Sequence, residues 1–347
     1  MSKVIRSEQN LYLKIRRDIC RKIYSGTYKD GDRIPPERTL AEEFGVSRVT
    51  VRTALSLLEE DGIVSRVQGS GTRIDMHYGA REQSDKDIIT IVATAHNEWF
   101  SRFMDAFAAR AEREDQLVLF KPKPAGTSLA DCLFQLYEKG LRNVVLWKEG
   151  MELEDDQLRV LRGLGMNMVL FDTEEREAFA DSVSLDNADA VRSLVDRLQK
   201  DGCRELCYVG WDRMDIGSLF VRESTFREIV PDGKIVHIPY TYHNQLDHIP
   251  EGLTEVCIRS IAQCDGVIYA VGELGMLFEG TMRGRGIAHR AGMVGEMLGA
   301  REMGIYRIAQ DFTAIADQTL WCFDQQKSAA SGWHPEAYRI KGIWMGP

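Results

Sequence analysis

"ERTLAEEFGVSRVTVRTALSLLEEDG", residues 37–62, decides how the N-terminal part of the chain is read. Two short stretches of helical periodicity are separated by "GVS". In the second stretch, Val51, Ala54, Leu55 and Leu58 recur at the spacing that buries one stripe of a helix. That spacing leaves Arg48, Val49, Arg52 and Ser56 facing outward, with Arg48 and Arg52 one turn apart. Long cations beside small side chains suit a surface that must approach another molecule closely. In the first stretch, Leu40, Ala41 and Phe44 supply an inner face. Gly45 can take the left-handed conformation that stops the helix, and Ser47 can cap the next one through its hydroxyl.

Upstream, Leu11, Ile15, Ile19 and Ile23 predict a helix from about Glu8 to Ser25, and Gly26 and Gly31 bracket a turn. "RIPPER" sets up the next helix, because proline is tolerated in a first turn and Glu37 suits the positive end of the helix dipole. Downstream, "IVSRVQGSGTRID" alternates as two short strands around "QGSG". Three helices followed by a two-stranded wing make a winged helix-turn-helix. Arginine can donate to both O6 and N7 of guanine, the commonest specific major-groove contact. Ser47 and Thr50, near a helix N-terminus, suit phosphate oxygens. Gly69 has no side chain, so the wing can lie close to a sugar-phosphate wall. A second reading stays open here: Arg48 and Arg52 as an ordinary solvated face paired with Glu59 or Glu60. Val49 either touches a thymine methyl or fills space.

The run "SGTYKDGDRIPPERTLAEEFGVSRVTVRTALSLLEEDGIVSRVQGSGTRI" resembles the DNA-binding domain of the GntR family of bacterial transcription regulators. The resemblance implies DNA contacts from Arg38, Ser47, Arg48, Thr50 and Arg52, with Gln68 and Gly69 of the wing entering the minor groove. Pro36 stands where the family usually has a small residue before Glu-Arg.

"MHYGAREQSDK", residues 76–86, is polar and aperiodic, and reads as a linker between a domain at 1–75 and another at 87–347. Beyond it, "IITIVAT", "LVLF", "NVVLW", "MNMVLFD", "LCYVG", "KIVHI" and "DGVIYAV" alternate with amphipathic stretches of helix length. That rhythm predicts βα units with parallel sheets, whose ligands sit outside the carboxyl ends of the strands. Trp99, with Phe100 beside it, follows the first of these strands, Trp147 ends the third and Trp211 follows the fifth. Asp172, Arg222 and Glu273 also fall at or soon after strand ends. Flat aromatics for sugar faces and charged groups for hydroxyls would make a sugar pocket. Equally, tryptophans are large and often lie half-buried at sheet edges.

"SVSLDNADAVRSLVDRLQKDGCRELCYVGW", followed by "VRESTF", resembles the LacI-type, periplasmic-binding-protein-like effector domain. This resemblance implies that Arg222 is the ligand arginine and that Ser218, one turn earlier, is another ligand position. "DGVIYAVGELGMLFEGTMRGRGI" implies an acidic ligand contact at Glu273, with Gly272-Glu273 standing where Asn-Asp is usual. "AGMVGEMLGA" stands where Gly-Phe-Asp is usual. The implied architecture is an N-terminal winged helix-turn-helix joined to a two-lobed α/β domain with parallel sheets. The combination resembles regulators of the arabinose-repressor type. It implies a homodimer, a palindromic operator on double-stranded DNA, and a two-lobed sensor that closes on a small molecule, a sugar.

Charge fits that division. Residues 1–75 hold 14 Lys+Arg against 11 Asp+Glu, or +3, and the rest hold 30 against 42, or −12, giving the total of −9. An acidic remainder discourages unselective adhesion to phosphate. The seven cysteines form no regular framework, and neither Cys203/Cys207 nor Cys257/Cys264 has CxxC spacing. Free thiols in a reducing cytoplasm are the expectation. No apolar run is long enough to span a membrane, and "MSKVIRSEQN" lacks an apolar signal region. GxGxxG after the first strand, GxxxxGK and HExxH are absent, and His243 and His248 are five apart, a poor ligand spacing on a helix. The expectation is a regulator without cofactor or metal, not an enzyme. Two alternatives are a regulator with a vestigial pocket acting through protein contacts, and a DNA-binding domain fused to an enzyme-like domain.

Overall fold

The computed structural model of the chain describes residues 2–67, 71–76, 88–93, 98–124, 126–148, 155–174, 177–213, 215–242, 245–328 and 333–347. Helix α1 (Ser2–Tyr24) starts earlier than its apolar periodicity does, since nothing between Ser2 and Glu8 breaks a helix. Its buried stripe is Ile15, Ile19, Cys20 and Ile23, whereas Leu11, expected in that stripe, is 37% exposed. Helix α2 (Glu37–Phe44) follows Pro36 and ends at Gly45, whose φ of 62° is the left-handed geometry that only glycine adopts cheaply. Helix α3 (Arg48–Glu60) is capped by Ser47, which accepts from the Thr50 amide at 3.1 Å, and buries Val51, Ala54, Leu55 and Leu58. Strands β1 (Val64–Val67) and β2 (Gly71–Ile74) pair antiparallel, from Val64↔Ile74 to Val67↔Gly71. The backbone at Arg33 bridges to Arg73 on the other side of β2, an edge the sequence reading did not foresee.

The α/β part runs β3 (Ile88–Ala93), α4 (Glu98–Glu112), β4 (Leu117–Pro122), α5 (Leu129–Glu138), β5 (Asn143–Trp147), α6 (Asp155–Gly163), β6 (Asn167–Phe171) and β7 (Asp181–Leu185). It continues with α7 (Asn187–Lys200), β8 (Leu206–Trp211), α8 (Gly217–Ile229), β9 (Lys234–Ile238), α9 (Glu251–Ile261), β10 (Gly266–Tyr269) and α10 (Gly272–Gly284). The last elements are β11 (Arg290–Val294), β12 (Tyr306–Ala309), α11 (Phe312–Ser328), β13 (Ala337–Ile340) and β14 (Ile343–Met345).

These elements fold as two compact units. One comprises Met1–Phe171, Arg176–Asp181 and Thr319–Glu336, and the other Asp172–Glu175, Ser182–Gln318 and Ala337–Pro347. In the first unit the strands lie in the order β4-β3-β5-β6, all parallel. In the second the order is β9-β8-β10-β11-β12, all parallel, with β14 added antiparallel beside β12. Strand β13, near the end of the chain, pairs in parallel with β7. Strands β5 and β6 are buried throughout, as sheets covered on both faces require.

Within the first unit, the winged head packs against α5. Cys20 Sγ lies 3.4 Å from Tyr137 Oη in a buried contact, and Tyr24 Oη donates to Asp131 at 2.8 Å. Arg21 pairs with Glu138, and the Arg142 guanidinium sits 3.7 Å over the Tyr137 ring. Burial pushes the Cys20 thiol and the Tyr137 phenol above their ordinary values. Apolar side chains from the head and from α5 share one hydrophobic core. Of the expected linker 76–86, only Met76 is among the described residues.

Candidate functional site

The exposed face of α3 carries Arg48, Val49 and Arg52, and Val49 is 72% exposed. Together they put two long cations on either side of an open apolar side chain, opposite the stripe formed by Val51, Ala54, Leu55 and Leu58. Arg52 does not pair with Glu59 or Glu60, the partners considered from sequence. It reaches Glu37 at the start of α2, with Nη2 3.0 Å from Oε2 and Nε 3.3 Å from Oε1. The hydrogen bond from Arg52 holds the Glu37 carboxyl below its ordinary range. Glu59 is taken instead by Arg66 of β1, whose Nη2 also donates to the Arg52 carbonyl at 3.2 Å. Arg38 is open to solvent and pairs with Glu42 one turn on. The Ser47 and Thr50 hydroxyls lie 2.8 Å apart, so capping geometry and a polar pair coincide at the α3 N-terminus. Gln68 and Gly69 lie outside the described residues.

In the first unit, the aromatics singled out from sequence come together. Phe100 stacks on Trp147 with centroids 4.8 Å apart, and Trp99 stacks on Phe171 at 5.3 Å. Phe100 is fully buried and Trp147 is 3% exposed, so neither offers an open ring face. They are core side chains here, and of the three expected ligand aromatics Trp99 alone keeps partial exposure. Strong stacking inside a covered sheet accounts for this better than a sugar platform does.

The second unit holds the charged candidates. Asp172 takes a φ of 54°, a left-handed conformation that costs a non-glycine residue energy, and its amide donates to Val183 O at 3.0 Å. Ser218 is buried in the first turn of α8. Arg222, 5% exposed, donates from Nε to Asn187 Oδ1 and from Nη1 to Ala270 O, both at 2.6 Å. Ala270 follows β10, so this contact ties α8 to the strand end that precedes Glu273. Glu273 stands half-buried in the first turn of α10. Trp211, which ends β8, is buried edge-on against Tyr240.

Three participants were not picked out from sequence. Asn187 donates to Glu174, and the other carboxylate oxygen of Glu174 meets Arg339 Nε at 3.3 Å. Asn187 lay inside the quoted "SLDNADA" without an assigned role, and Glu174 stands two residues after Asp172. Arg339, on β13, carried no local signal.

The departures at Gly272 and in "GEML" explain one another. A Cβ on Gly272 would lie 2.5 Å from Met297 Cγ. The Met297 side chain fills the room that an asparagine at 272 would need.

Comparison with known proteins agrees with both halves. Residues 11–74 match the family model described as "Bacterial regulatory proteins, gntR family". The histidine utilization repressor of Klebsiella aerogenes is 30% identical over 128 residues, 37% of this chain and 52% of that one. The arabinose metabolism transcriptional repressor of Geobacillus stearothermophilus is 41% identical over 83 residues, 24% of this chain and 22% of that one. The chain thus spans about half, or less, of the length of these curated relatives. Among solved structures, a periplasmic binding protein/LacI transcriptional regulator from Alkaliphilus metalliredigens QYMF, complexed with D-xylulofuranose, superposes with a TM-score of 0.60 at 14% identity. That match covers 75% of this chain and 97% of the other. The N-terminal head is therefore a gntR-type helix-turn-helix domain, followed by a two-lobed α/β domain of LacI/periplasmic-binding-protein fold. The two relatives are named as repressors and the structural neighbour as a transcriptional regulator.

Proposed function

We propose that the chain is a sequence-specific DNA-binding transcription repressor whose operator affinity is set by a small molecule, a sugar, held in the α/β domain. The observation that carries this reading is the α3 face. Arg48, Val49 and Arg52 stand exposed on a helix fixed by four buried side chains and a serine cap. Residues 1–75 then form the reading domain and 87–347 the sensor, with 76–86 between them. Arg38, Ser47 and Thr50 would hold the phosphate backbone, Arg48 and Arg52 would read base edges, and Gln68 and Gly69 would reach the minor groove. Trp99, Asp172, Ser218, Arg222 and Glu273 would face the effector.

The acting form is a homodimer on a palindromic operator. Support comes from β4, which exposes Leu117, Leu119 and Phe120 and among the described residues pairs only with β3. An open strand edge with apolar side chains is a template on which a second chain can pair. All seven cysteines are free thiols, in keeping with a cytoplasmic setting, and no helix among the described residues is long and apolar enough to cross a membrane.

For control, the effector must bind two global states with different affinity, since equal affinity shifts nothing. Operator half-sites are fixed by DNA pitch, so a small change in the separation of two α3 helices forfeits binding. The test is selection of operators from random duplexes by purified protein, with and without L-arabinose or D-xylulose. Enrichment of a palindrome that one sugar abolishes is expected, and absence of any enriched sequence overturns the reading. A second reading, a vestigial pocket, is favoured by Met297 filling the space beside Gly272. It predicts that no sugar raises the melting temperature, whereas a ligand at a hundred times its Kd adds about 2.7 kcal/mol.

A further inference from the structure

Arg222 is a nearly buried guanidinium whose two direct acceptors, Asn187 Oδ1 and Ala270 O, are both neutral. A buried cation held only by neutral acceptors needs compensating charge nearby. Through the Asn187 side chain Arg222 is linked to a carboxylate, Glu174. Asn187, fully buried, donates from Nδ2 to Glu174 Oε1 and to Leu185 O, the latter at 3.2 Å. With both amide hydrogens committed, its oxygen must face Arg222. A flipped amide would set an NH2 group against the guanidinium and an oxygen against the carboxylate. Glu174 is in turn fixed on its other oxygen by Arg339.

We infer that Glu174 is a positioning residue, which through Asn187 aims the Arg222 guanidinium so that Nη2 is left for the effector. Among the described residues nothing accepts from Nη2, while Nε and Nη1 are engaged. The relay draws on Glu174 and on Arg339 of β13, which adjoin points where the chain passes from one unit to the other. An effector that pulls on Arg222 therefore also loads those residues, and a group that loosens the relay weakens both binding and response. This inference rests on the proposed role of Arg222 as the effector's arginine, but the geometry it asserts is measurable without any effector.

The full-length chain is labelled with 15N-arginine, and the Arg222 Nε–H resonance is assigned by its loss in Arg222→Lys. Glu174→Gln keeps the size of the side chain and removes its charge. It is expected to speed exchange of the Arg222 Nε–H at least tenfold. Arg162, buried in the other unit, should be unaffected. Unchanged exchange at Arg222, or equal acceleration at Arg162, overturns the inference, the latter because it reports global loosening. Should Glu174→Gln not fold, Glu174→Asp is read in its place: the carboxylate then withdraws from Asn187, and the same loss of protection is expected. In parallel, thermal shifts with L-arabinose and D-xylulose test the effector reading. If neither sugar shifts the wild type, the sugar assignment fails while the exchange result still decides the relay. If one does, its affinity should fall tenfold or more in Glu174→Gln with operator binding kept, and an unchanged affinity rejects the relay.

Discussion

The Tyr24 ring lies flat on that of Phe134, with centroids 4.4 Å apart and planes 9° from parallel. Tyr24 belongs to the first helix of the reading head and Phe134 to α5 of the α/β domain, so the head is docked on its own chain rather than tethered beside it. Cys20 against Tyr137, one turn away, is buried in the same contact. Tyr24→Ala removes the stack and the hydrogen bond to Asp131, together worth about 2 kcal/mol. The expected outcome is a calorimetric trace in which the head melts ahead of the lobe. Cys20, whose thiol burial makes both inaccessible and slow to ionise, should then become readily alkylated by iodoacetamide. A single transition with Cys20 still protected would show that the docking does not depend on this stack.

Arg48→Ala and Arg52→Ala are each expected to weaken binding to the selected operator by on the order of tenfold to a hundredfold and to relax one base position. The measurement is affinity for the operator and its single-base variants. Equal loss across all variants would make the altered residue a phosphate anchor instead.

Glu37 holds Arg52 when no DNA is present. A carboxylate whose folded pKa is depressed contributes its stabilisation above the unfolded value and loses it as pH falls through the folded one, so at pH 7 the pair is intact. An exposed pair of this kind adds little to stability, but it competes with phosphate for the guanidinium. Glu37→Gln should raise affinity for random duplex several-fold. It should also steepen the dependence of log K on log salt by roughly 0.9, the increment for one more phosphate neutralised. An identical slope in the two proteins would mean that freeing Arg52 from Glu37 adds no phosphate contact on random duplex.

The reading head was legible because its signals are local. Four apolar positions on α3, the glycine stop at Gly45 and the cap at Ser47 all act within one or two helical turns. The strands missed were β7 and those from β11 onward. In β7, "DSVSL" is fully buried yet half polar, because Asp181 accepts from Gln326, Trp333 and the Glu336 amide, all distant in sequence. No window of sequence shows that such partners will arrive. Phe100 and Trp147 are covered for a related reason: position at a strand end says where a ring starts, not whether Phe103 will lie against Phe100 or Trp99 and Phe100 against Trp147. Glu174 and Arg339 escaped notice because their meaning lies in a contact between residues 165 positions apart (339 − 174).

Gly272 offers a last test, because its departure from the usual asparagine has a mechanical partner. A Cβ there would stand 2.5 Å from Met297 Cγ, closer than real atoms pack, and a tight 3.2 Å from its Sδ. Gly272→Asn must therefore push Met297 or the start of α10 aside, an overpacking that costs about 1 to 3 kcal/mol. Met297→Ala alone should also destabilise, by leaving a space unfilled. Combined, the two changes relieve each other, and urea unfolding should show the double variant more stable than the sum of the single losses by at least about 0.5 kcal/mol. The same pair restores an amide beside Glu273, so sugar affinity is expected to rise in the double variant relative to Met297→Ala. Strict additivity would mean that Met297 is not what keeps residue 272 bare, and that the glycine answers to the backbone of α10 alone.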